Sequence, residues 1–151
     1  MNGELNEQQI NNILTSQLVG RLACCEDKYP YIVPITFAYD GKYIYGHSYE
    51  GKKMEVLRKN PNVCFEVDIA NDLSNWQSAV IYGQFEELEK NEAEDARSLL
   101  LNKVTPLQTI SCIHQHEHDE GIGHELSDKG RIKPIMFRIK IHEKCGRFER
   151  Q

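Results

Sequence analysis

The stretch YIVPITFAYDGKYIYGHSYEGKK, residues 31–53, decides how this chain folds. Tyr31 to Tyr39 is rich in β-branched and aromatic residues, the composition that suits a pleated, half-buried strand. Asp40-Gly41 follows, and a tight hairpin turn needs two residues that tolerate positive φ. Lys42 to His47 is therefore the return strand. Next, Gly51, Lys52 and Lys53 open a short helix carrying Met54, Val56 and Leu57. That helix stops at Asn60-Pro61, because proline disfavours helical backbone in the residue before it. The outcome is a turn with a hydroxyl, Ser48, and two cations at the mouth of a β-structure. A helix N-terminus adds free N–H groups and a favourable dipole, so a phosphate could be held there. Two solvated lysines on a surface helix give the same pattern, and on pattern alone that is the preferred reading.

Outward from this stretch the elements are short. Residues 6–18 place Ile10, Ile13, Leu14 and Leu18 at helical spacing, with Asn6 as N-cap and Gly20 as stop. Arg21 to Glu26 is an apolar run before the turn at residues 27–30. Val63 to Asp68 alternates Val, Phe and Val with Cys, Glu and Asp, a half-exposed strand. Ser78 to Glu87 is a strand with Gly83 as a bulge or close-approach point. A helix is expected over Asn91 to Asn102. Pro134 to Ile141 alternates Ile135, Phe137, Ile139 and Ile141 in period two. Val104 to Lys133 is poorly periodic and reads as a long loop with at most a short helix. Antiparallel strands joined by hairpins, with two or three helices, make a mainly β fold, a small barrel with peripheral helices.

The whole chain, 151 residues, suits one domain. Hydrophobic residues make up 40% and charged residues 27%, an ordinary globular balance. A net charge of −5 argues against nucleic acid or an anionic membrane as main partner. There is no run of apolar residues long enough to span a bilayer, and the polar N-terminus resembles neither a signal nor a transit peptide. A cytoplasmic location is expected. Five cysteines, Cys24, Cys25, Cys64, Cys112 and Cys145, contain no C-x-x-C pair, so they read as reduced thiols. Neighbours in a strand face opposite ways, so at least one of Cys24 and Cys25 packs inside.

Three further features bear on chemistry. His47 ends a strand beside the cationic turn, where it could donate a hydrogen bond or a proton, or only orient its neighbours. Trp76, the single tryptophan, is a candidate cover for a planar ligand or a rim and dimer anchor. His114, His116 and His118, with Cys112, Glu117, Glu120 and His124 close by, could bind zinc, copper or nickel, or supply a haem ligand. A polar loop is the preferred reading, because metal ligands are normally fixed by rigid elements and supporting hydrogen bonds. No metal is assigned.

Five segments occur in a telling order: PYIVPITF (30–37), YGHSYEGKK (45–53), LRKNPNVCFEVD (57–68), WQSAVIYG (76–83) and FRIKIHEKCGRFE (137–149). In that order the chain resembles the FMN-binding split-barrel proteins related to pyridoxamine 5′-phosphate oxidase, above all the branch containing nitroimidazole resistance proteins. The likeness covers about residues 17–90 and the last strand. It implies a six-stranded Greek-key split barrel, a homodimer, and FMN between the subunits. It places the FMN phosphate on Lys52 and Lys53, with Ser48 and His47 nearby. Val33, Pro34, Ile35 and Thr36 would run past the flavin ring and offer backbone groups, Ser78 would hydrogen-bond, and Trp76 would cover the ring. Glu66 and Asp68 lie on a face that is solvated or between subunits.

The resemblance implies an FMN-dependent oxidoreductase that reduces a small organic acceptor such as a nitroaromatic, with His47 as the candidate catalytic residue. The electron donor would be a nicotinamide docking transiently, since no G-x-G-x-x-G fingerprint occurs, or another protein. The ending, Cys145 to Arg150, lacks the arginine- and proline-rich segment that true pyridoxamine phosphate oxidases use for substrate, so vitamin B6 oxidation is not implied. Two alternatives stand: a flavin-binding module without turnover, and a haem-binding or haem-degrading split barrel, the latter motivated by the histidine cluster.

Overall fold

The computed structural model describes residues 1–108 and 134–151. Among the described residues, eight strands and three helices follow in the order β1 (Asn2–Glu4), α1 (Glu7–Ser16), β2 (Val19–Cys25), β3 (Pro30–Thr36), β4 (Ala38–Tyr39), β5 (Tyr43–Ser48), α2 (Lys52–Lys59), β6 (Asn62–Asp72), β7 (Asn75–Glu87), α3 (Lys90–Gln108) and β8 (Ile135–Glu149). Every pairing is antiparallel, in the order β3-β2-β6-β7-β8-β5-β4, with β1 added to the end of β8. The sheet curls into a half-barrel. The histidine cluster and the rest of 109–133 lie outside the described residues.

Alternation fills the inside of the curl. Leu22, Phe37, Ile44, Phe65, Val67, Ile81, Phe137 and Ile139 are fully buried there, joined by Ile13 and Leu14 of α1 and by Met54 and Leu57 of α2. A separate cluster, Ala38, Leu88, Ala96, Leu100 and Met136, packs α3 onto the outside of the sheet. Burial of such side chains is worth roughly 1.5–3 kcal/mol each.

Local signals hold where their chemistry is local. Asn6 caps α1 reciprocally: the Gln9 amide donates to its side chain at 2.9 Å, and its own amide donates to the Gln9 side chain at 2.8 Å. At the hairpin, Asp40 accepts from the amides of Lys42 at 2.8 Å and Tyr43 at 2.7 Å, and from the Tyr45 hydroxyl at 2.8 Å. Burial works against ionisation of Asp40, but these donors outweigh it and hold its carboxyl below the ordinary 3.8. Asp40→Ala is expected to cost about 1.5–3 kcal/mol at neutral pH. A folded-state value below the unfolded one gives stability that is present above pH 4 and fades as the pH falls through the folded value. Urea midpoints of both chains should therefore converge in acid.

Several expectations change, and the last strand, read as far as Ile141, runs on to Glu149. Gly20 does not stop α1, which ends at Ser16 with Gln17 extended; Gly20 sits in β2, where a Cβ would lie 2.2 Å from the Phe65 ring. The stretch from Tyr31 to Tyr39 is two strands, because Phe37 turns its ring into the core and its amide to the Leu18 carbonyl. Residues 104–108 continue α3 rather than opening a loop. The strands at Val63 and Ser78 extend through polar residues into one hairpin turning at Leu73-Ser74, tied by Asp72, which accepts from the Ser74 amide and the Asn75 side chain.

Candidate functional site

α2 starts after an uncapped Gly51, and open space surrounds the position a Cβ would take there. Its first turn carries Lys52 and Lys53, the wrong sign for the positive end of a helix dipole, although Glu55 offsets part of this. Neither lysine forms an ion pair among the described residues. Lys53 is half-buried, and burial pulls its ammonium down from the ordinary 10.5, with the nearby Cys24 thiol opposing the shift. The Lys52 ammonium lies over the Tyr31 ring, 4.8 Å from its centroid. Two cations, one exposed over the Tyr31 ring and one half-buried, thus stand together at the start of α2.

Tyr31 brings β3 to this turn. Among the described residues β3 ends the sheet order and bonds to β2 only, so one row of its backbone groups faces no described strand. Tyr31 and Val33 pack against the core, whereas Ile32 and Pro34 are exposed on the opposite face. Ile35 is buried, so only its backbone can serve a ligand, and Thr36 lies at the far end, opposite Val19.

The strand β5 separates two residues the sequence puts side by side. Ser48 is buried and its hydroxyl donates to the Tyr49 carbonyl at 3.0 Å. His47, by alternation, lies on the other face of β5 with Tyr45, opposite Met136 in the register. Tyr45 packs against the cluster under α3. Burial and Asp40 together push its hydroxyl up to about 12.

Trp76 and Ser78 occupy β7, away from the lysine turn in the strand order. The indole N–H of Trp76 donates to Glu149 at 3.2 Å. Ser78 donates to Glu66 at 2.8 Å, and Arg21 bridges Glu66 at 3.1 Å and Asp68 at 2.5 Å. Pro34 stands opposite Arg21, so this network lies beside the exposed face of β3. Arg21 is half-exposed, and its pairs carry little stability. Arg21 and Tyr31 were not among the residues singled out from sequence. The alternation in Val19 to Cys25 sets Arg21 apart from the buried positions, but only the register reveals its partners.

Among the described residues no group of three potential ligands could hold a metal ion, and no helix is long and apolar enough to cross a membrane. The curled antiparallel half-barrel with its flanking helices is a split barrel. The family model described as pyridoxamine 5′-phosphate oxidase matches residues 6–123, and the chain belongs to that family. An uncharacterised protein of Rhizobium meliloti strain 1021 is 34% identical over 84 residues, which is 56% of this chain and 56% of that protein. The chain thus matches about half the length of that relative. The structure of a FAD-binding protein from Mesorhizobium loti superposes with a TM-score of 0.77 at 28% identity, covering 100% of this chain and 98% of the other. A candidate 5-nitroimidazole antibiotic resistance protein from Bacteroides thetaiotaomicron shares the fold, with a TM-score of 0.71 at 19% identity over 98% of this chain and 87% of that one.

Proposed function

We propose that this chain binds FMN, with the phosphate on Lys52 and Lys53 and the ring along the free edge of β3, and passes electrons to a small organic acceptor. The observation that carries this reading is the pair of ammonium groups, without ion-pair partners among the described residues, at the positive end of α2. A terminal phosphate dianion answers both charges and the helix dipole at once. The likeness to a FAD-binding protein supports a flavin. FMN is preferred because the cationic groups are concentrated at one turn.

When bound, the flavin supplies the redox chemistry. The protein's own part is to hold the phosphate, to offer backbone groups of Val33, Pro34, Ile35 and Thr36, and to deliver protons. Reduction of a nitro group by two electrons consumes two protons and releases water, so a proton source is needed. We assign that role to His47, since imidazole exchanges protons near neutral pH. The nitroaromatic acceptor rests on the resemblance in sequence, and a nicotinamide or a protein would supply electrons. A second copy would cover the exposed face bearing Ile32, Pro34 and Tyr82, which brings Trp76 and Ser78 to the partner's ring.

The test is the purified protein. It should show flavin absorbance, and after anaerobic photoreduction a 5-nitroimidazole should reoxidise it. His47→Ala should keep the flavin and slow reoxidation about 100-fold. Bound flavin that no acceptor reoxidises would reduce the reading to a flavin-binding module.

A further inference from the structure

Lys103, on the C-terminal half of α3, has a cationic head that meets carbonyls instead of carboxylates. Its ammonium donates to the Gln17 carbonyl at 2.5 Å and to the Phe37 carbonyl at 3.0 Å, and lies 4.1 Å from the centroid of the Phe37 ring. Each of these groups sits at a junction. Gln17 closes α1, and Phe37 is the single residue between β3 and β4. The Phe37 amide donates to the Leu18 carbonyl at 3.0 Å, and its ring packs edge-on against Phe65 with centroids 5.0 Å apart. One side chain therefore ties the end of α1, the bend after β3 and α3 together.

The position is costly for a charge. Burial alone pulls the amine down to about 8, so a methionine would occupy the same space without that cost. What the amine provides is two directional bonds at the bend. A neutral amine still has N–H groups for both carbonyls, so the tie survives deprotonation.

We propose that Lys103 is a positioning residue for the cleft: by fixing the bend at Phe37 to α1 and α3, it holds the edge strand β3 against the lysine turn. The cleft part of this proposal rests on the flavin reading above, whereas the tie itself does not. Among the described residues β3 pairs with β2 and with no other strand, and this pairing runs up to Thr36 and Val19, so the next residue, Phe37, sets how β3 leaves the sheet. Lys103 anchors that residue on the α3 side.

Two arms test it on the full chain. In hydrogen exchange without ligand, Lys103→Met should speed exchange of the Phe37 amide about tenfold, leave the Ile81 amide of β7 unchanged, and Lys103→Arg should restore protection. In titration with FMN, Lys103→Met should weaken binding about tenfold. Unchanged Phe37 exchange would overturn the tie. Faster exchange with unaltered FMN affinity would overturn the positioning role. If the native chain does not bind FMN, the flavin reading fails and the exchange arm still judges the tie. Should the variant not fold, NMR titration of the native Lys103 amine decides: a midpoint near 8 is expected, and the ordinary 10.5 would remove it from its site.

Discussion

Lys53→Ala is expected to weaken FMN binding about 100-fold, and the double change of Lys52 and Lys53 to alanine to weaken it about 1000-fold or more, without destabilising the ligand-free protein. Each charge-assisted hydrogen bond to phosphate contributes roughly 1.5–3 kcal/mol. The opposite behaviour of the free protein is the informative part. Burial disfavours the Lys53 charge, and the dipole of α2 disfavours both charges, so in the absence of an anion they strain the turn. Lys53→Met, which keeps the stem that packs near Cys24, should therefore leave the melting temperature equal or slightly raised. A structural lysine would behave the other way, lowering stability with or without ligand. Alkaline pH gives a second check. Lys53 loses its proton earlier than a free lysine, so FMN affinity should start to fall below the ordinary 10.5.

Gly83→Ala is expected to be the most damaging single substitution away from the cleft. A Cβ at this position would lie 2.3 Å from the Lys140 carbonyl oxygen and 2.9 Å from the Ile139 side chain. Backbone cannot step aside as a flexible side chain can. The register shows why the approach is so close: Tyr82 pairs with Glu143 and Gly83 with Ile141, leaving His142 as the extra residue of a bulge. The bulge bends β8, the strand that joins β7 to β5 and so curls the sheet. A methyl group here should cost about 3 kcal/mol and lower the melting temperature by about 10 °C. A fall in the urea midpoint with an unchanged slope would mark it as a loss of stability within a two-state transition.

The sequence was informative where cause and effect are neighbours in the chain. Asn6 and Asn60-Pro61 act through the backbone of adjacent residues, and Asp40-Gly41 makes the expected hairpin, although Gly41 alone of the pair adopts positive φ. Gly20 misled because two causes produce the same residue. A glycine after a helix suggests a stop, but this one makes room for the ring of Phe65, which is distant in the chain. The β6–β7 hairpin hid for a different reason: its outer part is stabilised by pairing and by Asp72, so its residues need not be apolar.

At the candidate site, the lysine turn was legible and its surroundings were not. Helix start, glycine and charge are local, whereas the Tyr31 ring beneath Lys52 follows from the curl of the sheet. Alternation says that His47 and Ser48 face opposite ways, but not which one faces the core. The register decides that, as it decides that Arg21 meets Glu66 and Asp68. Lys103 carries no signal at all in a helix of charged and apolar residues, because its partners are carbonyls at two distant junctions.

The most direct test of the account compares FMN with riboflavin, which has the same ring and lacks the phosphate. Titrated into the ligand-free protein and followed by flavin fluorescence, FMN should bind at one per chain and at least 100-fold more tightly than riboflavin. Equal affinity for the two, or no binding of either, would contradict the phosphate site at Lys52 and Lys53.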